Sequence, residues 1–70
     1  MPGYNPELIA IMRAALEDVM ARVPVEQASF TIKVRLAEFI LKAASEGQTT
    51  YDALYSAGAA QIQTVLSMVM

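Results

Sequence analysis

Apolar residues in the first third of the chain recur at three- and four-residue steps, the spacing of one face of an α-helix. The stripe consists of Leu8, Met12, Ala15, Leu16, Val19 and Val23, and is widened by Ile9 and Met20. Asn5 suits a helix N-cap and Pro6 suits the first helical position, while Pro24 disfavours helical geometry in the residue before it. The pattern predicts a first helix over residues 6–22.

The second stretch carries two apolar rows on nearly opposite sides of one predicted helix, residues 25–46. One row consists of Val25, Ala28, Ile32, Leu36, Phe39 and Ala43. The other consists of Phe30, Val34, Ala37, Leu41 and Ala44, with Ile40 between the two. Gly47 suits the C-cap, and Ser29 is an alternative, later N-cap. A helix with so narrow a polar strip is central or buried on two sides, and two neighbours in a short chain have difficulty covering both rows.

Residues 50–69 form the third predicted helix, and its continuity depends on Gly58. Thr49 and Asp52 form a T-x-x-D capping signal at its start. A single phase passes through the glycine: Tyr51, Tyr55, Gly58, Ile62, Leu66 and Val69. This continuous phase favours one helix that bends at Gly58. Glycine inside a helix costs about 1 kcal/mol relative to alanine, so two shorter helices are the alternative. The three elements predict an all-α, antiparallel three-helix bundle in a single domain, residues 1–70.

Composition adds an argument for association. A chain of 70 residues buries a small core, and this one contains neither cysteine nor histidine, so disulfides and nearly all structural zinc sites are excluded. The hydrophobic fraction is 56%, above the roughly 45–50% of ordinary domains. Such an excess indicates apolar surface buried between molecules, and we expect a symmetric homodimer, with another protein as the alternative partner.

The predicted function is therefore a self-associating helical module for protein–protein interaction or regulation. A two-fold interface uses the same patch on both copies, and the third helix would add to it, with Gly58 permitting close backbone approach. The interface is predicted at Phe30, Val34, Ala37, Leu41, Ala44, Gly58, Ile62 and Leu66.

Catalytic and metal-binding signatures are missing from the sequence. Nucleophilic catalysis of the Ser–His or Cys–His type lacks its partners. Glu17 and Asp18 are neighbours, but adjacent helical side chains point about 100° apart and cannot converge on one ion. The glycines at positions 3, 47 and 58 are too scattered for a phosphate-binding loop. We predict no catalytic residue, no cofactor and no metal, and hence no enzyme.

The charge balance offers an alternative function, a DNA-associated regulator that acts as a dimer. Arg35 and Lys42 share a face of the second helix, and a dimer could bring two such faces together. Glu38 lies in the same strip, however, and the net charge is −2 with five basic residues. Nucleic-acid binders concentrate Lys and Arg on one face, so we do not expect nucleic acid as a partner.

Two further features bear on location. From Ala53 to the C-terminus the chain has no charged side chain, but its polar residues lie mostly on one side, which is the pattern of a helix docked on protein. We therefore do not expect a membrane span. The segment Met-Pro-Gly-Tyr-Asn-Pro has no basic region leading into an apolar run, so a cytoplasmic location is expected.

Residues 34–57, about a third of the chain, carry a recognisable pattern. Arg35-Leu36-Ala37, Ile40-Leu41, Ala44 and Gly47 fit the form R-L-A-x-x-I-L-x-x-A-x-x-G, and Leu54 follows. This segment resembles a pattern found in small uncharacterised bacterial helical proteins, in which a short leucine-containing helix follows. The resemblance implies a helical fold and no particular activity.

Overall fold

A computed structural model describes residues 6–69 of the chain, and these fold without a strand. The helices are α1 (Pro6–Met20), α2 (Phe30–Ser45), α3 (Tyr51–Ala59) and α4 (Ile62–Val69), with a short 3-10 helix at Val25–Gln27. The prediction of an all-α bundle is confirmed. Because α3 and α4 follow one another closely, they form the two halves of the third helical segment.

The start of α2 differs from the predicted boundary at residue 25. Val25–Gln27 forms a 3-10 helix instead, and Ser29 in an extended conformation precedes α2. The Ser29 hydroxyl accepts a hydrogen bond from the Ile32 N–H at 3.3 Å, which satisfies one of the donors that a helix start leaves unpaired. The later cap is therefore the one that the chain uses, and Val25 lies outside α2.

The helix α2 ends as predicted, with Gly47 in the cap at its C-terminus. Gly47 has φ 102°, a left-handed conformation that costs most other residues free energy. Its N–H donates to the carbonyl of Ala44 at 3.1 Å, and the N–H of Gln48 donates to that of Ala43 at 3.0 Å. These two bonds are the Schellman motif, which satisfies the last carbonyls of a helix.

The third segment bends at Ala60 and Gln61, rather than at Gly58 as the sequence suggested. The N–H of Gln61 donates to the carbonyl of Gly58 at 3.0 Å, a three-residue step that tightens the backbone locally. Gly58 itself lies inside α3 and is buried. The cap of α3 also differs by one residue, since the Thr50 hydroxyl, not that of Thr49, accepts from the Ala53 N–H.

The core consists of two adjoining clusters that run the length of the bundle. One contains Val19, Val23, Ile32, Leu36, Val65 and Leu66. The other contains Ala15, Ile40, Ala43, Ala44 and Leu54. The end of α1 thus packs against the start of α2, while earlier residues of α1 pack against its end, so the two helices are antiparallel. The third segment returns along α2 and completes the bundle.

Candidate functional site

An apolar row on α2 faces away from the core. Phe30, Val34 and Leu41 are 79%, 38% and 45% exposed, and Ala37 between them is half-buried. Their spacings of four, three and four residues place them on one narrow strip of the helix. The α2 row, defined as these four residues, comprises four of the five residues in the second apolar row that the sequence predicted on this helix.

A groove between α1 and α2 borders this row and enlarges the apolar surface. Its volume is about 350 Å³. The lining residues are Ile9, Met12, Arg13, Leu16 and Glu17 from α1, with Lys33, Ala37, Ile40 and Leu41 from α2. Ala37 and Leu41 belong to both the groove and the α2 row, so the two features form one continuous face, called here the α1–α2 face.

The two ends of the groove differ in chemistry. Because α1 and α2 are antiparallel, Ile9 near the start of α1 lies at the same end as Leu41, and Ile9 is 43% exposed. At the other end, Glu17 and Lys33 line the groove, and Arg13 lines it one helical turn from both Ile9 and Glu17; all three charged side chains are exposed. One end is therefore apolar, and the other carries charges of both signs.

The remaining predicted interface residues lie elsewhere. Ala44 and Leu66 are buried in the core of a single copy, and Ile62 packs against that core while half-buried. Of the eight predicted residues, the four of the α2 row keep surface on this face that a partner could contact.

Gly58 packs inside its own chain, where the sequence had suggested contact with a partner. A Cβ atom at this position would lie 3.0 Å from Cγ2 of Val19 and 3.2 Å from Cδ1 and Cγ1 of Ile40. The missing side chain lets α3 approach α1 and α2 closely. This requirement comes from the fold of one copy, which is why the phase of the sequence pattern alone could not distinguish it from an intermolecular contact.

The α1 residues that line the groove were not part of the interface predicted from the sequence. Ile9, Met12 and Leu16 are the apolar residues among them. The sequence did indicate that some apolar surface of α1 stays uncovered, because Ile9 widens the apolar stripe of the first helix beyond what one neighbouring helix covers. The stripe alone does not say which of its edges remains uncovered.

The predicted basic strip on α2 carries an ion pair. Nη1 of Arg35 lies 3.3 Å from Oε1 of Glu38, and both side chains are about half exposed. An exposed pair of this kind contributes little stability, but it offsets the charge that Arg35 would present to a phosphate. The Glu38 carboxylate therefore neutralises the basic strip at Arg35.

Residues 6–69 lack two further kinds of feature, a metal-binding cluster and a membrane-spanning helix. In this part of the chain, no three acidic, histidine or cysteine side chains are close enough to hold a metal ion. Likewise, no helix within these residues combines the length and the apolar character needed to cross a membrane.

A second polar cluster joins α1 to α3. The Tyr51 hydroxyl donates a hydrogen bond to Oδ2 of Asp18, and Nη1 of Arg22 donates to the Tyr55 hydroxyl at 2.9 Å. The two tyrosine rings stack with centroids 5.9 Å apart. The hydrogen bond to Asp18, then partial desolvation and the charge of that carboxylate, raise the pKa of Tyr51 to about 12. These contacts fix the register of α3 on α1.

Comparison with protein-family models, curated proteins and solved structures found no match to this chain.

Proposed function

We propose that this chain is a self-associating helical interaction module, and that the α1–α2 face is the surface through which copies associate. The observation that carries the proposal is the exposure of Phe30, Val34 and Leu41 along one strip. Aligned large apolar side chains beside an apolar groove are unfavourable in water and mark interaction sites.

The size of the bundle adds support. A domain this small has a limited core, and each described cluster contains only five or six buried residues. Small proteins without disulfides or metals commonly gain stability from oligomerisation. Burial of the α1–α2 face would supplement the core with side chains that the single copy leaves in water.

The charge pattern around the groove is compatible with a second copy. Arg13 and Lys33 are cationic and Glu17 is anionic, and all three line the groove. A surface that carries both signs avoids the like-charge repulsion that a purely acidic or basic rim would produce when it meets itself.

Sedimentation equilibrium of the wild-type protein from about 1 to 100 μM, the range that resolves micromolar dissociation constants, tests the proposal. We expect a species of twice the 7.6 kDa chain mass. Leu41→Glu should weaken the dimer at least about 10-fold, because it places a charge in the buried part of the interface. The variant should keep its helical circular dichroism, since Leu41 is exposed in one copy.

Met68→Glu is the matched control. Met68 is 59% exposed on α4 and does not line the groove, so this variant should dimerise like the wild type. A wild-type protein that sediments as a monomer over the whole range would refute the proposal. So would equal weakening by both substitutions.

A further inference from the structure

We infer that the groove between α1 and α2 binds a free anionic amphiphile, a single alkyl chain that ends in a carboxylate, such as a medium-chain fatty acid. The alkyl chain lies on the apolar floor of the groove, and the carboxylate faces Arg13 and Lys33. This inference goes beyond the proposed self-association, because it adds a small-molecule ligand to the same face. Its one consequence for association, competition with a second copy, rests on the proposed function.

The floor of the groove is apolar, and its size suits a single alkyl chain. Ile40 is 2% exposed, Met12 and Leu16 are half-buried, and all three line the groove. The volume of about 350 Å³ lies within the roughly 300–1,000 Å³ of small-molecule sites. An alkyl chain on this floor removes apolar surface from water on both partners, which is favourable.

The length of the groove also suits such a chain. Glu17 lies eight residues after Ile9 on α1, and Leu41 lies eight residues after Lys33 on α2. Each wall is therefore about 12 Å long at 1.5 Å per residue, which is close to the length of an extended decanoate chain. Ile9 and Leu41 form the apolar end, so the methyl end of the chain lies there and the carboxylate lies towards the charged side chains.

Two cationic side chains of the groove have no anionic partner within the chain. Arg13 lines the α1 wall and Lys33 the α2 wall, and both are exposed. Neither side chain forms an ion pair or a hydrogen bond with another residue in the range 6–69. By contrast, Arg22 and Arg35 each donate to a neighbouring side chain. A carboxylate would give the two groove cations the charge-assisted hydrogen bonds that they lack.

The balance of charge in the groove favours an anionic head group over a cationic one. Glu17 is the one acidic side chain among the described residues that line the groove. Two positive charges and one negative charge leave this lining with a net charge of +1, in a chain whose net charge is −2. The groove is thus a locally positive site on an acidic molecule, and a local excess of one sign attracts a ligand of the other.

A bound ligand competes with a second copy in the proposed self-association. Ala37 and Leu41 belong both to the groove and to the α2 row, so the alkyl chain contacts side chains that the pairing of copies buries. A ligand that binds one state better than the other shifts the equilibrium between them. The concentration of the free amphiphile therefore regulates association.

Calorimetric titration of the wild-type protein with decanoate, kept below the concentration at which it forms micelles, tests the ligand site. We expect a dissociation constant below about 1 mM. Each methylene removed from the chain should weaken binding by roughly two- to fourfold, because less apolar surface is buried. Decyltrimethylammonium, which has a cationic head group on the same chain, should bind at least about 10-fold more weakly than decanoate.

Charge reversal locates the head group. Arg13→Glu and Lys33→Glu should each weaken decanoate binding at least about 5-fold, because each replaces attraction by repulsion. Glu17→Gln should tighten it. Lys42→Glu is the matched control, since it changes the net charge equally and Lys42 is exposed on α2 but does not line the groove. Its effect should stay below about 2-fold, because salt screens distant exposed charges.

Amide NMR spectra locate the alkyl chain. Decanoate should shift the signals of groove residues such as Met12 and Ala37 more than those of α4, for example Met68. Equal shifts throughout the molecule, or loss of the dispersed signals of the folded chain, would refute a site in the groove.

The outcomes separate this inference from the proposed function. A wild-type protein that sediments as a monomer and binds decanoate in the groove refutes self-association and supports the ligand site. A dimer that does not bind decanoate, or that Arg13→Glu and Lys42→Glu affect equally, refutes the ligand site alone. A dimer that binds decanoate should dissociate at saturation and should persist with butyrate at the same concentration. Persistence of the dimer in saturating decanoate refutes the competition.

Discussion

Gly47 and Gly58 both depend on the absence of a Cβ atom, but for different physical reasons. Gly47 needs its left-handed backbone, and a Cβ there would meet nothing within 4 Å. Gly58 has helical geometry inside α3, and a Cβ there would press on two buried side chains. The sequence identified the first role, because a glycine directly after an apolar periodicity signals a helix end. It could not identify the second, which depends on the contact between helices.

Gly47→Ala should lower the free energy of unfolding by about 1 kcal/mol, because alanine pays the steric cost of positive φ. Gly47→Asn should cost less, since asparagine tolerates this region better. Urea unfolding at fixed protein concentration measures both. Gln48→Ala, which keeps the N–H that completes the Schellman motif, is the control, and an equal loss in all three variants would argue against a conformational origin.

The hydroxyl of Tyr51 should lose its proton at a higher pH than that of an ordinary tyrosine. Its pKa of about 12 in the folded protein lies above the ordinary value of 10.0, because the protonated hydroxyl donates to Asp18. The stabilisation is fully present below pH 10 and is lost as the pH rises from 10 through 12. Tyrosinate absorbance, taken as the difference between wild type and Tyr51→Phe, follows this group alone. Asp18→Asn should shift that titration back towards 10, and an unchanged titration would exclude the hydrogen bond as the cause.

At the scale of the elements, the three helical stretches and the cap at Gly47 could be predicted from periodicity and punctuation. The boundary of α2 could not, since Val25 and Ala28 continue the apolar period and only the Ser29 cap selects the later start. The bend at Ala60 could not be predicted either. A single tightened turn rotates the chain too little to change the phase of the apolar residues, so the pattern continues through Gly58 as it would in one helix.

The same reasoning explains how much of the α1–α2 face was predictable. The α2 row follows from counting positions around one helix. The α1 wall depends on which edge of a wide stripe its neighbour covers, and this is decided by how α1 and α2 cross. Periodicity describes each helix separately and carries no information about that crossing.

Gly58→Ala tests the contact between elements. Alanine gains about 1 kcal/mol in helix propensity, but overpacking of a filled core costs roughly 1–3 kcal/mol. We expect a net loss of about 1 kcal/mol in the free energy of unfolding. Ile40→Val removes the Cδ1 methyl that the new Cβ would press upon, so the double variant should be more stable than the sum of the single effects. Strict additivity would contradict the close contact.

At the scale of the whole molecule, association and stability should be linked. If only the folded chain pairs, raising the protein concentration shifts the equilibrium towards it. The temperature of half-unfolding of the wild type should therefore rise with concentration, whereas that of Leu41→Glu should vary much less. Thermal melts followed by circular dichroism at several concentrations measure this, and a midpoint independent of concentration in the wild type would contradict the link.

The exposed apolar side chains of the α1–α2 face lie on one side of the molecule, and in the proposed self-association this arrangement limits growth. A pair related by a two-fold axis uses the same patch on both copies, so neither chain keeps an open patch for a third. Had two complementary patches been on opposite sides, every added chain would have exposed another one, and the product would have been a fibre. A single shared side makes a finite particle the natural end point.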